Sequence, residues 1–366
     1  DISAGAPQQR TAPPRAAYAA LYPDGTRYVR PSIAVEAARS TLTAGLGLVD
    51  TGSALIATDT GMAINSPGLP QTALMPSFSP TGKLLVYTDT ASPNARAIAA
   101  VDFDGASNAA SNPRVLFDDT SGTTRAGWPF ALPDDQAVVF VRGGGDWSGN
   151  GAGVGGSITA LLGPYSELFM VDVDTKQSTL LARAMGYNTP ADAAAQKTYL
   201  PHPEDIGRAY FPTVSPVAAG GYFWVFFDAV RHYGNMGLLG VPDAQRQLWG
   251  TAIEISPNGD YSVDRSNPAF YLPGQEFGTG NHRAFTALDA CKMDGDKCTS
   301  GVDCCGGFCN LGPVDEFGNQ SGTCASTAQC AKTDEKCKTT ADCCPVQGGA
   351  PNTCIGGYCA QTPILL

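Results

Sequence analysis

Cysteine is missing from residues 1 to 290 of this 366-residue chain, and basic residues are few: 23 Lys and Arg face 34 Asp and Glu, for a net charge of −11. No Lys/Arg cluster exists to meet a phosphate-rich surface, which argues against a nucleic-acid or anionic-membrane partner. Long apolar runs are missing too. Every apolar run, Tyr222 to Phe227 among them, falls far short of the roughly 20 residues a membrane helix needs, so no transmembrane segment is expected. No apolar leader precedes Asp1, and the chain reads as a mature or processed product.

Signatures of chemistry are equally scarce. There is no G-x-S-x-G elbow. The glycine-rich stretch Gly143 to Ser157 lacks the Gly-Lys-Ser/Thr ending of a phosphate loop and reads as a long insertion or a loop gating a binding mouth. Only three histidines occur, His202, His232 and His282, at spacings of 30 and 50 residues. They do not share a local element, and they read as unrelated loop or surface imidazoles. The acidic pairs Asp102/Asp104, Asp118/Asp119, Asp134/Asp135 and Asp172/Asp174 do not fit a calcium-loop spacing and read as turn caps and edge protection. No catalytic residue, metal or cofactor is assigned.

What the chain does contain is turn chemistry and short β-rich runs. Its 43 glycines and 27 prolines make up about a fifth of the chain, below the roughly 25 to 30% of disordered low-complexity sequence. The clearest unit is Pro76-Ser77-Phe78-Ser79-Pro80-Thr81-Gly82-Lys83-Leu84-Leu85-Val86-Tyr87, a Pro/Gly turn feeding an apolar run, as in a hairpin. Related units begin at Trp128-Pro129-Phe130 and at Phe211-Pro212-Thr213. Between them lie the partner runs Ala97 to Gly105, Glu167 to Thr175 and Ile253 to Asp260, each an apolar segment that turns acidic before a turn. Recurrence at roughly 45 to 55 residues is the period of a four-stranded propeller blade, not of a helical solenoid.

The P-x-F-S-P-x-G-K run followed by Val101-Asp102-Phe103-Asp104 resembles the WD40-like repeat of TolB-type β-propellers. The resemblance implies an all-β fold, a β-propeller over residues 71–288 whose blade number the repeat leaves open. Residues 1–70 fit the repeat poorly and read as a degenerate blade or the remnant of an upstream domain, although Tyr22-Pro23-Asp24-Gly25 has the look of a hairpin turn.

All twelve cysteines crowd into the tail as a duplication. Cys291, Cys298, Cys304, Cys305, Cys309 and Cys324 form one frame, and Cys330, Cys337, Cys343, Cys344, Cys354 and Cys359 repeat it. The tail has no His and no paired C-x-x-C knuckles, so disulfides fit better than zinc and imply an oxidising compartment. Six cysteines allow 15 connectivities, and spacing alone selects none. The C-x6-C-x5-C-C frame resembles the inhibitor cystine knot of knottin-type modules, here 289–326 and 327–366. That resemblance implies the pairs Cys291–Cys305, Cys298–Cys309 and Cys304–Cys324, then Cys330–Cys344, Cys337–Cys354 and Cys343–Cys359.

Two segments are candidates for ligand contact. Arg231-His232-Tyr233-Gly234-Asn235 follows the strongest apolar strand, and Gly280-Asn281-His282-Arg283 precedes the tail. Arg231, Tyr233, Asn235, Asn281 and Arg283 combine a planar guanidinium fork, an aromatic ring and amide groups, suited to a carboxylate or a sugar. The competing reading is that these Arg and Asn side chains tie blade to blade. The whole reads as a secreted or cell-surface binding and scaffolding protein whose partner is a protein or glycan, located extracellularly, in a periplasm or on the outer cell surface. The alternatives are an extracellular propeller hydrolase or lyase using Arg231, His232, His282 and Arg283, or a structural subunit of a larger surface assembly.

Overall fold

The computed structural model describes residues 19–30, 54–89, 91, 97–120, 124–144, 165–232, 246–276, 281 and 283–286, and in the tail 292, 295–299, 303–304, 308–311, 321–325, 331–337, 340, 343 and 352–361. The chain divides into two compact units. One holds Gln9–Val214 and Val225–Phe285; the other takes in Ser215–Trp224 and Thr286–Leu366.

The larger unit is built from four-stranded antiparallel sheets in which strand order follows chain order. The first contains β1 (Ala20–Leu21), β2 (Arg27–Arg30), β3 (Leu55–Thr58) and β4 (Ala63–Ile64). The second contains β5 (Ala73–Phe78), β6 (Leu84–Asp89), β7 (Ala97–Asp104) and β8 (Ala109–Asp118). The third contains β9 (Thr124–Ala131), β10 (Ala137–Gly144), β11 (Tyr165–Asp172) and β12 (Ser178–Leu180). The fourth contains β13 (Ala209–Val214), β14 (Tyr222–Ala229), β15 (Gln247–Glu254) and β16 (Phe270–Tyr271). Four meanders of this kind are the blades of a propeller.

The first three strands of the second sheet, β5 to β7, read as nearly continuous apolar runs because both of their faces are covered, whereas the edge strand β8 is largely exposed. Side chains alternate between faces along a strand. Leu85, Tyr87, Ala99 and Val101 pack with Val29, Ala54 and Ile56 of the first sheet. Their neighbours Leu84, Val86, Ile98 and Ala100 pack with Ala126, Val138, Phe140 and Val171 of the third. One sheet thus supplies half of two cores, which is the economy of stacked blades. The third and fourth sheets are joined by Ser166, whose N–H donates to the Gly207 carbonyl at 2.6 Å, and by an edge-on contact between Trp128 and Phe211 at 4.7 Å.

The turns repeat as the strands do. Gly25 donates to Tyr22, Gly82 to Ser79, Asp135 to Leu132 and Gly259 to Ser256, at 2.8, 2.9, 3.0 and 3.3 Å. Each begins X-Pro, which presets the first turn dihedral, and each ends on a left-handed residue. At Gly82 a side chain is excluded twice over: φ is +73°, and a Cβ would lie 2.6 Å from the Tyr22 hydroxyl. Tyr22 belongs to the first sheet, yet its ring packs on Phe78 and Phe103 of the second, at 5.1 and 5.6 Å.

A second repeated feature lies in the first strands of three sheets. Met75, Trp128 and Phe211 each precede a proline and hold φ of 48°, 56° and 48°. The pairing register slips at the same places, between Leu74 and Ser77, between Gly127 and Phe130 opposite β10, and between Tyr210 and Thr213. A residue before proline is confined to extended backbone and bulky residues avoid positive φ, so these are bulges that packing must hold in place.

In the tail unit, β17 (Lys297–Cys298), β18 (Phe308–Leu311) and β19 (Gly322–Ala325) form a sheet in the order β17-β19-β18, and β20 (Asn352–Ile355) pairs with β21 (Tyr358–Gln361). Disulfides join Cys298–Cys309, Cys304–Cys324, Cys337–Cys354 and Cys343–Cys359. These are four of the six pairs that the knottin-type resemblance implies; the other two, Cys291–Cys305 and Cys330–Cys344, lie outside the described residues. The cystines themselves are the buried core here, as expected of modules too small to bury enough apolar surface. A parallel bridge, Lys292 with Cys304 and then Ala331 with Cys343, recurs in both halves of the duplication.

Candidate functional site

The site is built on the fourth sheet. β14 is a strongly apolar strand, yet its penultimate residue is Asp228, whose side chain is 0% exposed. A buried carboxyl requires partners. The Arg283 N–H donates to Asp228 Oδ1 at 2.8 Å, and Arg246 Nη1 stands 3.9 Å from Oδ2. Arg246 directly precedes β15. Its segment is tied to the later chain by the Asn281 N–H, which donates to the Arg246 carbonyl at 2.9 Å.

Both guanidinium groups lie over aromatic rings. Arg246 sits 4.6 Å from the Tyr210 ring centre and 5.3 Å from that of Phe211. Arg283 sits 4.7 Å from Trp128, 5.4 Å from Phe130 and 5.2 Å from Phe285. Trp128 and Phe211 are two of the three bulged pre-proline residues, so the strained turn of each first strand delivers a ring to the floor of this cluster. Cation–π attraction favours both guanidinium groups over these rings.

Electrostatically the cluster is poised. Burial pushes the Asp228 carboxyl up to about 7, against the Arg283 N–H and the Arg246 and Arg283 charges, which pull it down. Burial also lowers Arg246 from its ordinary value. Arg246 is 5% exposed, and none of its three guanidinium nitrogens donates a hydrogen bond among the described residues. A buried planar fork of donors with unfilled hydrogen-bonding capacity matches the two oxygens of a carboxylate.

The residues singled out from sequence are distributed unevenly. Arg283 joins the cluster, and Asn281 lies beside it with its amide donating to Gln275 Oε1 and Gln247 Oε1 at 3.0 and 3.3 Å. Arg231 is buried and donates from Nη2 to the Ala184 carbonyl at 2.9 Å, within the short helix α1 (Ala182–Met185). Its guanidinium stands 5.4 Å from the rings of both Phe227 and Trp249. These are the contacts of a tie between elements. Tyr233 and Asn235 lie outside the described residues, as do His282 and the glycine-rich stretch from Gly145 to Ser157.

Arg246 and Asp228 escaped the sequence reading. An Asp embedded in Trp224-Val225-Phe226-Phe227-Asp228-Ala229-Val230 was the available signal, because an acid in a fully apolar strand implies a buried cation nearby. A reading of the histidines also needs correction: His202 and His232 are not unrelated, their ring centres being 5.4 Å apart. The spacing of 30 residues hid this because a hairpin of the fourth sheet brings its two ends together.

The acidic pairs take part in local structure. Asp104 accepts the Ala106 N–H at 3.0 Å, and Asp172 those of Asp174 and Thr175 at 3.0 and 2.8 Å. Asp102 pairs with Arg114 at 2.7 Å, and Asp119 with Arg142 at 2.8 Å.

No protein-family model matches the chain, and no curated protein is significantly similar to it. Among solved structures it is similar to hydrazine synthase of Kuenenia stuttgartiensis, with 13% identity, a TM-score of 0.33, and coverage of 72% of this chain and 55% of that one. A puromycin hydrolase variant shares 14% identity at a TM-score of 0.36, over 72% of this chain and 32% of its own. A GH43 protein from Bacillus licheniformis shares 12% at 0.34, over 68% and 43%. The chain thus spans about a third to a little over half of these proteins.

Proposed function

We propose that the protein is an extracellular or periplasmic binding protein whose propeller takes a carboxylate-bearing ligand at the Arg246, Arg283 and Asp228 cluster. One observation carries the reading: the Arg246 guanidinium is buried over two aromatic rings and makes no hydrogen bond among the described residues. A ligand carboxylate would fill that fork, which Tyr210 and Phe211 back from below. Four disulfides support an oxidising compartment. The repeated X-Pro turns and bulges support grouping the blades with the TolB type, and the four bridges at the implied positions support a knottin type for the tail.

A second reading, a hydrolase or lyase acting on the same acidic ligand, is favoured by Asp228. A carboxyl pushed up to about 7 holds a proton near neutral pH and suits general acid work.

Isothermal titration with oligouronates, with peptides ending in a free carboxylate, and with their methyl-ester and amide counterparts tests the proposal. Binding of acids but not of the neutral forms is expected, and the two series distinguish glycan from peptide. Equal binding of acids and esters, or binding of neither, would refute it. Turnover of a bound ligand that Asp228→Asn abolishes without weakening binding would establish the enzymatic reading.

A further inference from the structure

We propose that His202 and His232 form a binding site for a divalent transition-metal ion of the zinc or copper type. The two histidines flank opposite ends of the hairpin that opens the fourth sheet. His202 caps the 3-10 turn Pro203–Asp205, and His232 follows the end of β14.

Asp205 organises the pair. Its side chain is 1% exposed, and both oxygens are turned to His232: Oδ2 accepts the backbone N–H at 2.6 Å, and Oδ1 faces the ring Nδ1 at 2.9 Å. A carboxylate offers only acceptors, so the nitrogen facing it carries the proton and Nε2 keeps its lone pair. His202 repeats the arrangement with a second acid, its Nδ1 lying 3.2 Å from Glu204 Oε1. In both rings the carboxylate-facing nitrogen is Nδ1, which leaves Nε2 as the ligand atom. A carboxylate behind each imidazole is the usual outer shell of a histidine metal site, fixing tautomer and ring orientation and raising basicity.

The spacing of the rings suits chelation. Zinc–nitrogen bonds of about 2.1 Å place the ion about 3.2 Å from each ring centre, so two rings at a tetrahedral angle stand about 5.2 Å apart. The observed separation is 5.4 Å. The side chains are 50% and 32% exposed, which gives an ion and its remaining water ligands a path from solvent. Imidazole donors select zinc, copper or nickel over calcium or magnesium, whose preference is for oxygen. The described cysteines do not compete for the ion, because each is in a disulfide.

The test uses the full chain, titrated calorimetrically with zinc chloride and, separately, loaded with one equivalent of Cu²⁺ for electron paramagnetic resonance. One site per chain is expected, with nitrogen hyperfine structure from two imidazoles. His202→Ala and His232→Ala should each abolish the site. Asp205→Asn should weaken zinc about 10-fold or more, the scale of losing an outer-shell carboxylate. His282→Ala is the control and should bind as the parent protein does. Melting curves recorded without metal guard against misfolding; His202 is half exposed, so its replacement should leave the midpoint unchanged. Absence of stoichiometric binding, survival of binding in both His202→Ala and His232→Ala, or its loss in His282→Ala would overturn the proposal.

Discussion

The Tyr261 hydroxyl donates to Asp134 Oδ2 at 2.7 Å, joining the fourth sheet's outer loop to the first turn of the third sheet. The same tyrosine donates its N–H to Asp172 at 2.9 Å, and its oxygen accepts the Ser256 N–H at 3.2 Å. One side chain, fully buried, therefore clamps two neighbouring blades. Tyr261→Phe removes the donor while keeping the ring, and leaves the half-buried Asp134 with one partner fewer. A loss of about 1 to 3 kcal/mol in chemical denaturation is expected. An unchanged midpoint would show that the clamp contributes nothing.

Arg231→Ala should act on stability alone. The variant loses the hydrogen bond to Ala184 and the packing of the guanidinium on Phe227 and Trp249. It should unfold about 2 kcal/mol more easily while retaining affinity for any carboxylate ligand. Equal stability with lost binding would reverse the assignment and return Arg231 to the ligand.

Asp228 makes a pH prediction. Its folded value is raised to about 7 from an ordinary 3.8, so between those limits the folded protein holds a proton that the unfolded chain has released. The associated stability is fully present below about pH 4 and is lost as pH rises through about 7. Asp228→Asn should flatten this fall, seen as melting temperature against pH. A carboxylate ligand should likewise bind more weakly above pH 7 in the parent protein, as Asp228 becomes an anion beside it, and not in the variant.

In the tail, Glu335 Oε1 accepts the Cys309 N–H at 2.9 Å and Oε2 accepts the Lys332 N–H at 2.6 Å. A carboxylate from the second cysteine frame thus anchors a strand of the first. Non-reducing intact mass should correspond to six bridges and no free thiol. Reduction should release amide protection throughout the tail and leave the propeller strands protected. Alkylatable thiols in the native protein, or loss of propeller protection on reduction, would contradict this.

The parts of this fold that were legible are those carried by neighbouring residues. Proline at the second turn position and glycine or a tolerant residue at the fourth marked Ser79 to Gly82 and its relatives. The repeated units beginning at Pro76, Trp128 and Phe211 marked the first strands, and the knottin-type resemblance of the cysteine frame implied four bridges that the structure contains. Strands of two to four residues in the first sheet carry too little period to be read, although Tyr22 to Gly25 has the same turn. The site was illegible for a different reason. Asp228, Arg246 and Arg283 stand at sequence separations of 18 and 37 and meet through the pairing of β14 with β15 and the hydrogen bonds of the 281–283 segment, and His202 meets His232 through the hairpin of β13 and β14. Arg231 matches a ligand contact in residue type; its burial and its bond to the Ala184 carbonyl support the competing reading of a tie between elements.

The most direct test of the central claim compares the parent protein with Arg246→Lys for binding of an acidic ligand found in the titration panel. Lysine keeps the charge but not the planar fork. The account predicts affinity lower by about 10-fold or more, matching the roughly 1.5 to 3 kcal/mol of a charged hydrogen bond, with a melting temperature close to that of the parent. Undiminished affinity in Arg246→Lys and in Arg246→Met would contradict it and place any ligand elsewhere on the propeller.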